Sequence, residues 1–136
     1  MNEDDARRRI AELLDRDEAA RAAGIRLRSV RDGTVTIEMT ARTAMGNGHG
    51  IVHGGWLFLL ADTAAAYALA IGADEGVTMS ADIVFHAPAT VGGVLTAVAN
   101  ETHRNGANGL YDVAVHASDG RRVASARLVG RGRRSS

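Results

Sequence analysis

The run from Gly54 to Ile71, GGWLFLLADTAAAYALAI, constrains the fold more than any other segment. It holds no proline, is rich in Ala and Leu, and is followed by Gly72. These features predict a helix of about 18 residues, roughly 27 Å long at 1.5 Å per residue. The segment is apolar nearly all round, so such a helix must be buried on most sides. A bilayer could also bury it, but Asp62 stands at its centre, where a carboxylate costs roughly 2.5–3.5 kcal/mol on insertion scales. A protein core is therefore the expected surrounding, and no membrane partner is expected.

The rest of the chain must supply that core. Its 136 residues correspond to one ordinary domain, and 46% of them are hydrophobic. Asp4 to Ala23 has apolar residues at helical spacing (Ile10, Leu13, Leu14, Ala20) and ends at Gly24, which predicts an amphipathic N-terminal helix within residues 1–23. Alternating runs predict strands at Ile25–Val30 and Val35–Ala41, joined through Asp32-Gly33. Further strands are predicted at Val77–His86, Val94–Glu101, Leu110–Ala117 and Arg122–Val129. The expected architecture is α+β: a single domain over 1–136, with an antiparallel sheet of about five strands around one long buried helix. Residues 131–136, rich in Arg, are expected to form a flexible tail. Such a sheet leaves an edge strand to be paired, and a homodimer is the natural solution.

Composition excludes several chemistries. Without cysteine there is no disulfide, thiolate metal site or Cys nucleophile. Every basic residue other than His is Arg, so a Schiff-base lysine and a Walker phosphate loop are excluded as well. Sixteen basic and sixteen acidic residues balance, which gives no prior for nucleic-acid binding. No metal and no separate cofactor are expected. Residues 2–12 are charged and lack the apolar stretch of a signal peptide, so the cytoplasm is the default location.

Two features point to chemistry. A carboxylate within a buried helix is costly unless paired, so Asp62 either faces a polar patch or serves as a nucleophile or general base in a cleft. His53-Gly54-Gly55 precedes the helix: the first-turn amides lack intrahelical partners, and glycine lets a ligand approach them. That is either an ordinary glycine cap or a site that polarises a carbonyl. Gly55 and Asp62 lie seven residues apart, roughly 10.5 Å along one helix. Acting on one carbonyl would therefore require two chains.

The run Asn47-Gly48-His49-Gly50-Ile51-Val52-His53-Gly54-Gly55, followed by Leu60-Ala61-Asp62-Thr63-Ala64 and Ala66-Tyr67-Ala68, resembles the hotdog-fold acyl-CoA thioesterases. The nearest branch is the phenylacetic-acid-degradation type, which acts on phenylacetyl- and hydroxyphenylacetyl-CoA. The resemblance spans about residues 20–130 and implies Asp62 as the catalytic carboxylate. It implies Gly54 and Gly55 as the helix-start residues polarising the thioester, with Asn47 orienting water or thioester. It also implies Ser80 near the carboxylate, a site shared between subunits, and a homodimer that pairs into a homotetramer. Coenzyme A is then part of the substrate. Arg104 and Arg127 are candidates for its phosphates, because Ala107 stands where the family often has Lys. Trp56 and Phe85 are candidate pocket walls. His53 leaves open a hotdog dehydratase or hydratase, and a non-catalytic acyl-CoA-binding protein is the third reading.

Overall fold

The computed structural model describes residues 1–134. Helices α1 (Glu3–Arg16) and α2 (Glu18–Ala22) precede the hairpin β1 (Arg26–Arg31) and β2 (Thr34–Thr40). A short 3₁₀ turn, Thr43–Met45, leads to α3 (Gly54–Ala70). Then follow β3 (Ala73–Phe85), β4 (Val94–Asn105), β5 (Asn108–His116) and β6 (Arg122–Arg134). All six alternating runs are strands, so the antiparallel sheet has six strands rather than about five, in the order β1-β2-β4-β5-β6-β3.

Local chemistry explains the boundaries. Asn2 caps α1 by accepting from the Asp5 N–H at 2.8 Å. The expected single N-terminal helix is broken at Asp17, whose carboxylate accepts from the Ala20 N–H at 3.1 Å and from the Tyr67 hydroxyl at 2.9 Å. A residue engaged as a cap starts a new helix instead of continuing the old one. α2 ends at Gly24, with φ of +77°, where Gly24 N–H bonds Arg21 O and Ile25 N–H bonds Ala20 O. The β1–β2 turn has positive φ at both Asp32 and Gly33, as the Asp-Gly pair predicts.

α3 packs against β2, β3, β4, β5 and β6. Leu57, Leu60, Ala61, Ala64, Ala68 and Leu69 are buried there. By length and composition α3 could cross a membrane, yet here the sheet wraps it. The expected flexible tail does not begin at Arg131: β6 continues to Arg134, with Val77 opposite Arg131 and Ala73 opposite Arg134. Residues 135 and 136 of that tail lie outside the described residues.

β3 is an edge strand, paired only with β6. Apart from Met1, every exposed large hydrophobic among the described residues lies on it: Val77, Met79, Val84 and Phe85, between 51% and 61% exposed.

Candidate active site

The sheet does not cover α3 completely. Gly55, Phe58, Leu59, Asp62, Ala66 and Ala70 are exposed or half-buried, and their spacing of three to four residues places them on one stripe. Asp62 sits midway along this stripe. Its Oδ1 accepts a hydrogen bond of 2.5 Å from the Thr78 hydroxyl on β3, while Oδ2 has no hydrogen-bond partner among the described residues. One oxygen is thus held and the other is free to attack a carbonyl or to take a proton from water.

Ser80, expected beside this carboxylate, is not there. Thr78 pairs with Gly130 and Ser80 with Val129, leaving Met79 as an extra residue. Gly130 faces α3, since a Cβ on it would meet Leu69 Cδ2 at 3.0 Å. Thr78 shares that face. The bulge at Met79 reverses the alternation, so Ser80 lies with Val129 on the opposite face. No glycine or proline marks the bulge in the sequence, so Thr78 was not legible from strand periodicity.

The two helix-start glycines differ. An added Cβ on Gly54 would fall 2.7 Å from Phe85 Cζ, so Gly54 makes room for the Phe85 ring. Gly55 is exposed and has nothing within 4 Å of an added Cβ. His53 occupies the N-cap position with extended backbone, but its side chain makes no capping hydrogen bond. The Trp56 N–H bonds the His53 carbonyl at 3.0 Å and Phe85 lies against Gly54, which leaves Gly55 as the first-turn position open to a ligand. Asn47 organises the loop leading to this helix: its Oδ1 accepts from the His49 N–H at 2.8 Å and the Ile51 N–H at 3.1 Å. Its amide nitrogen remains as a donor.

Two candidate phosphate ligands are committed elsewhere. Arg104 has a side chain only 12% exposed; it donates to Glu101 Oε1 at 2.6 Å and to the Tyr111 hydroxyl at 3.1 Å. Its guanidinium lies against Gly72, just beyond the α3 C-terminus, where a cation complements the helix dipole. Arg127 is exposed, but it makes a forked pair with Asp112 at 2.8 and 3.2 Å, and hydrogen bonding from Arg127 holds the Asp112 carboxyl below its ordinary range. It shares the outer face with Asp82 and Asp112, its register partners, away from Asp62. Trp56 packs partly buried against the core. Phe85 helps to line an apolar recess of about 370 Å³ with Val52, Gly54, Leu57 and Pro88. No group of three His, Cys, Asp or Glu among the described residues could hold a metal.

Comparison with known proteins identifies the family. Residues 49–124, which contain α3 with Asp62 and the strands β3, β4 and β5, match the family model of the thioesterase superfamily. This chain belongs to the thioesterase superfamily. The acyl-coenzyme A thioesterase PaaI of Escherichia coli (strain K12) is 38% identical to it over 103 residues, or 76% of this chain and 74% of that protein. The solved structure of the E. coli PaaI protein from the phenylacetic acid degradation operon superposes with a TM-score of 0.90 at 33% identity, covering 98% of this chain and 96% of that one. A hypothetical thioesterase protein from Streptococcus pneumoniae TIGR4, solved with coenzyme A, superposes with a TM-score of 0.81 at 27% identity over 89% of this chain and 98% of that one. The chain is a thioester hydrolase with the hotdog fold, one long helix held by a curled antiparallel sheet.

Proposed function

We propose that this thioesterase hydrolyses an acyl-CoA whose acyl group is an aryl or arylacetyl unit, such as phenylacetyl or hydroxyphenylacetyl. The observation that carries the reading is the Asp62 carboxylate. It has one oxygen held by Thr78 and the other free of hydrogen bonds among the described residues, on the uncovered stripe of a largely buried helix. The kinship with an acyl-CoA thioesterase and with a coenzyme A complex supports the substrate class.

The thioester carbonyl would accept from the Gly55 N–H at the positive end of α3, which stabilises the oxyanion as it forms. Asp62 then either attacks the carbonyl carbon, expelling the CoA thiolate and leaving an acyl anhydride that water cleaves, or takes a proton from a water that attacks the carbonyl and expels the thiolate. Neither route needs a metal or further cofactor. Because Gly55 and Asp62 stand two helical turns apart, Asn47 and Gly55 would come from one chain and Asp62 with Thr78 from the other. The active unit would be a cytoplasmic homodimer joined along β3, paired further into a homotetramer.

Initial rates over a panel of arylacetyl-, aroyl- and straight-chain acyl-CoA thioesters test the reading. The arylacetyl compounds should be cleaved fastest. Asp62→Asn and Asp62→Ala should each lower kcat by about 10²–10³ or more while the protein stays folded. Near-normal kcat in a folded Asp62→Asn protein would exclude the assignment.

A further inference from the structure

A second nucleophile–base pair lies on the face of the sheet turned away from α3. Ser125 stands two residues before Arg127 on β6 and shares that outer face, between Val84 of β3 and Ala114 of β5. Its Oγ lies 2.8 Å from His86 Nε2 and 3.3 Å from Arg122 Nη1. His86 directly follows β3 and stays tied to β6, because its N–H donates to the Val123 carbonyl at 2.8 Å. Arg122 makes no ion pair among the described residues, so its charge is available to the hydroxyl. A guanidinium can only donate, so Oγ accepts there. The hydroxyl hydrogen is then left for Nε2 of an imidazole protonated on Nδ1. Ser125 also lines a cavity of about 660 Å³ with Val84, Val98, Ala114 and His116.

The geometry points to a second hydrolytic site, with Ser125 as nucleophile, His86 as its base and activated aryl esters of small carboxylic acids as its substrates. A serine within hydrogen-bond reach of an imidazole is the arrangement that covalent catalysis needs. Ser125 Oγ attacks the ester carbonyl carbon while its proton passes to His86 Nε2. The Arg122 guanidinium meets the negative charge that develops on the carbonyl oxygen. The ester C–O bond then breaks, and the phenolate leaves with the proton from His86. A water cleaves the acyl-serine by the same route: it gives a proton to His86, the carboxylic acid departs, and Oγ takes the proton back. Asp62 takes no part, since it and Thr78 lie on the α3 side of the sheet. Ser125 sits between Ala124 and Ala126 within a strand and not at a glycine-flanked elbow, so no sequence motif marks it.

The test treats the full-length protein with a fluorophosphonate, locates the adduct by peptide mass spectrometry, and follows hydrolysis of p-nitrophenyl acetate in parallel. One adduct per chain, on Ser125, is expected. Labelling and ester hydrolysis should vanish in Ser125→Ala and slow by at least about tenfold in His86→Ala, within what a general base contributes. Asp62→Asn should keep both, and Ser125→Ala should keep acyl-CoA hydrolysis, which also shows that the variant is folded. If Ser125→Ala does not fold, His86→Ala, at an exposed position, carries the test. A wild-type chain that stays unlabelled, an adduct at another residue, or a labelling rate unchanged in His86→Ala overturns the proposal.

Discussion

Neighbouring residues of one chemical type have different roles here, and substitution should separate them. Gly55 presents an open backbone amide at the start of α3, whereas Gly54 accommodates the Phe85 ring. Gly55→Ala adds a methyl where the thioester carbonyl would sit, and losing an oxyanion donor costs roughly 10²–10³ in rate. It should therefore lower kcat more than it raises KM, with little change in melting temperature. Gly54→Ala forces the exposed Phe85 ring to swing away, an overpacking cost of about 1–3 kcal/mol at most. It should be seen first in thermal denaturation. If Gly55→Ala changed KM alone, Gly55 would act as a steric gate and not as a donor to the oxyanion.

At the scale of elements, α3 is held at its C-terminal half by two buried phenols. Tyr67 donates to Asp17 at the break between α1 and α2, and burial together with that acceptor raises its pKa. Tyr111 meets Arg104 below the end of α3; burial and Glu101 push its pKa up to about 12, with Arg104 opposing. An unfolded tyrosine ionises near pH 10. The folded pKa is the higher one, so the stabilisation is complete below about pH 10 and is lost as pH rises through the window from 10 to 12. The urea midpoint should fall between pH 9 and pH 11, and Tyr111→Phe should flatten that fall. A wild-type midpoint equal at both pH values would contradict the burial of these phenols. At the same end of the molecule Arg104 serves the helix terminus and the Tyr111 hydroxyl, while its buried Nη1 has no hydrogen-bond partner among the described residues.

For the whole molecule, the edge of β3 is the exposed feature that most demands a partner. A thirteen-residue strand with Val77, Met79, Val84 and Phe85 exposed is open to pairing along its length. Joining two chains there would bring the uncovered stripes of two α3 helices towards each other. A mixing experiment tests the shared site that follows. Inactive Asp62→Asn protein and an inactive variant altered at both Asn47 and Gly55 are refolded together. A heterodimer then holds one site with all native groups, and part of the activity should return, up to about half that of one wild-type dimer's two sites. Demonstrated heterodimers that stay inactive would place the site within one chain.

Much of this was readable from residues alone, because the strongest signals were local. A proline-free apolar run with one carboxylate determined the buried helix and its catalytic candidate. Asp32-Gly33 determined a turn with positive φ, and Asn47 with Gly54, Gly55 and Asp62 determined the family. Tertiary structure decided what depends on register and on neighbours distant in sequence. A single extra residue, Met79, turned Ser80 away and brought Thr78 to Asp62. Tyr67, fifty positions away, engaged Asp17 where the N-terminal helix breaks. The ladder with β3 carried β6 through the arginines of the expected tail. Each outcome follows from a hydrogen bond between segments far apart in the chain, whereas periodicity reports only on residues close together in it.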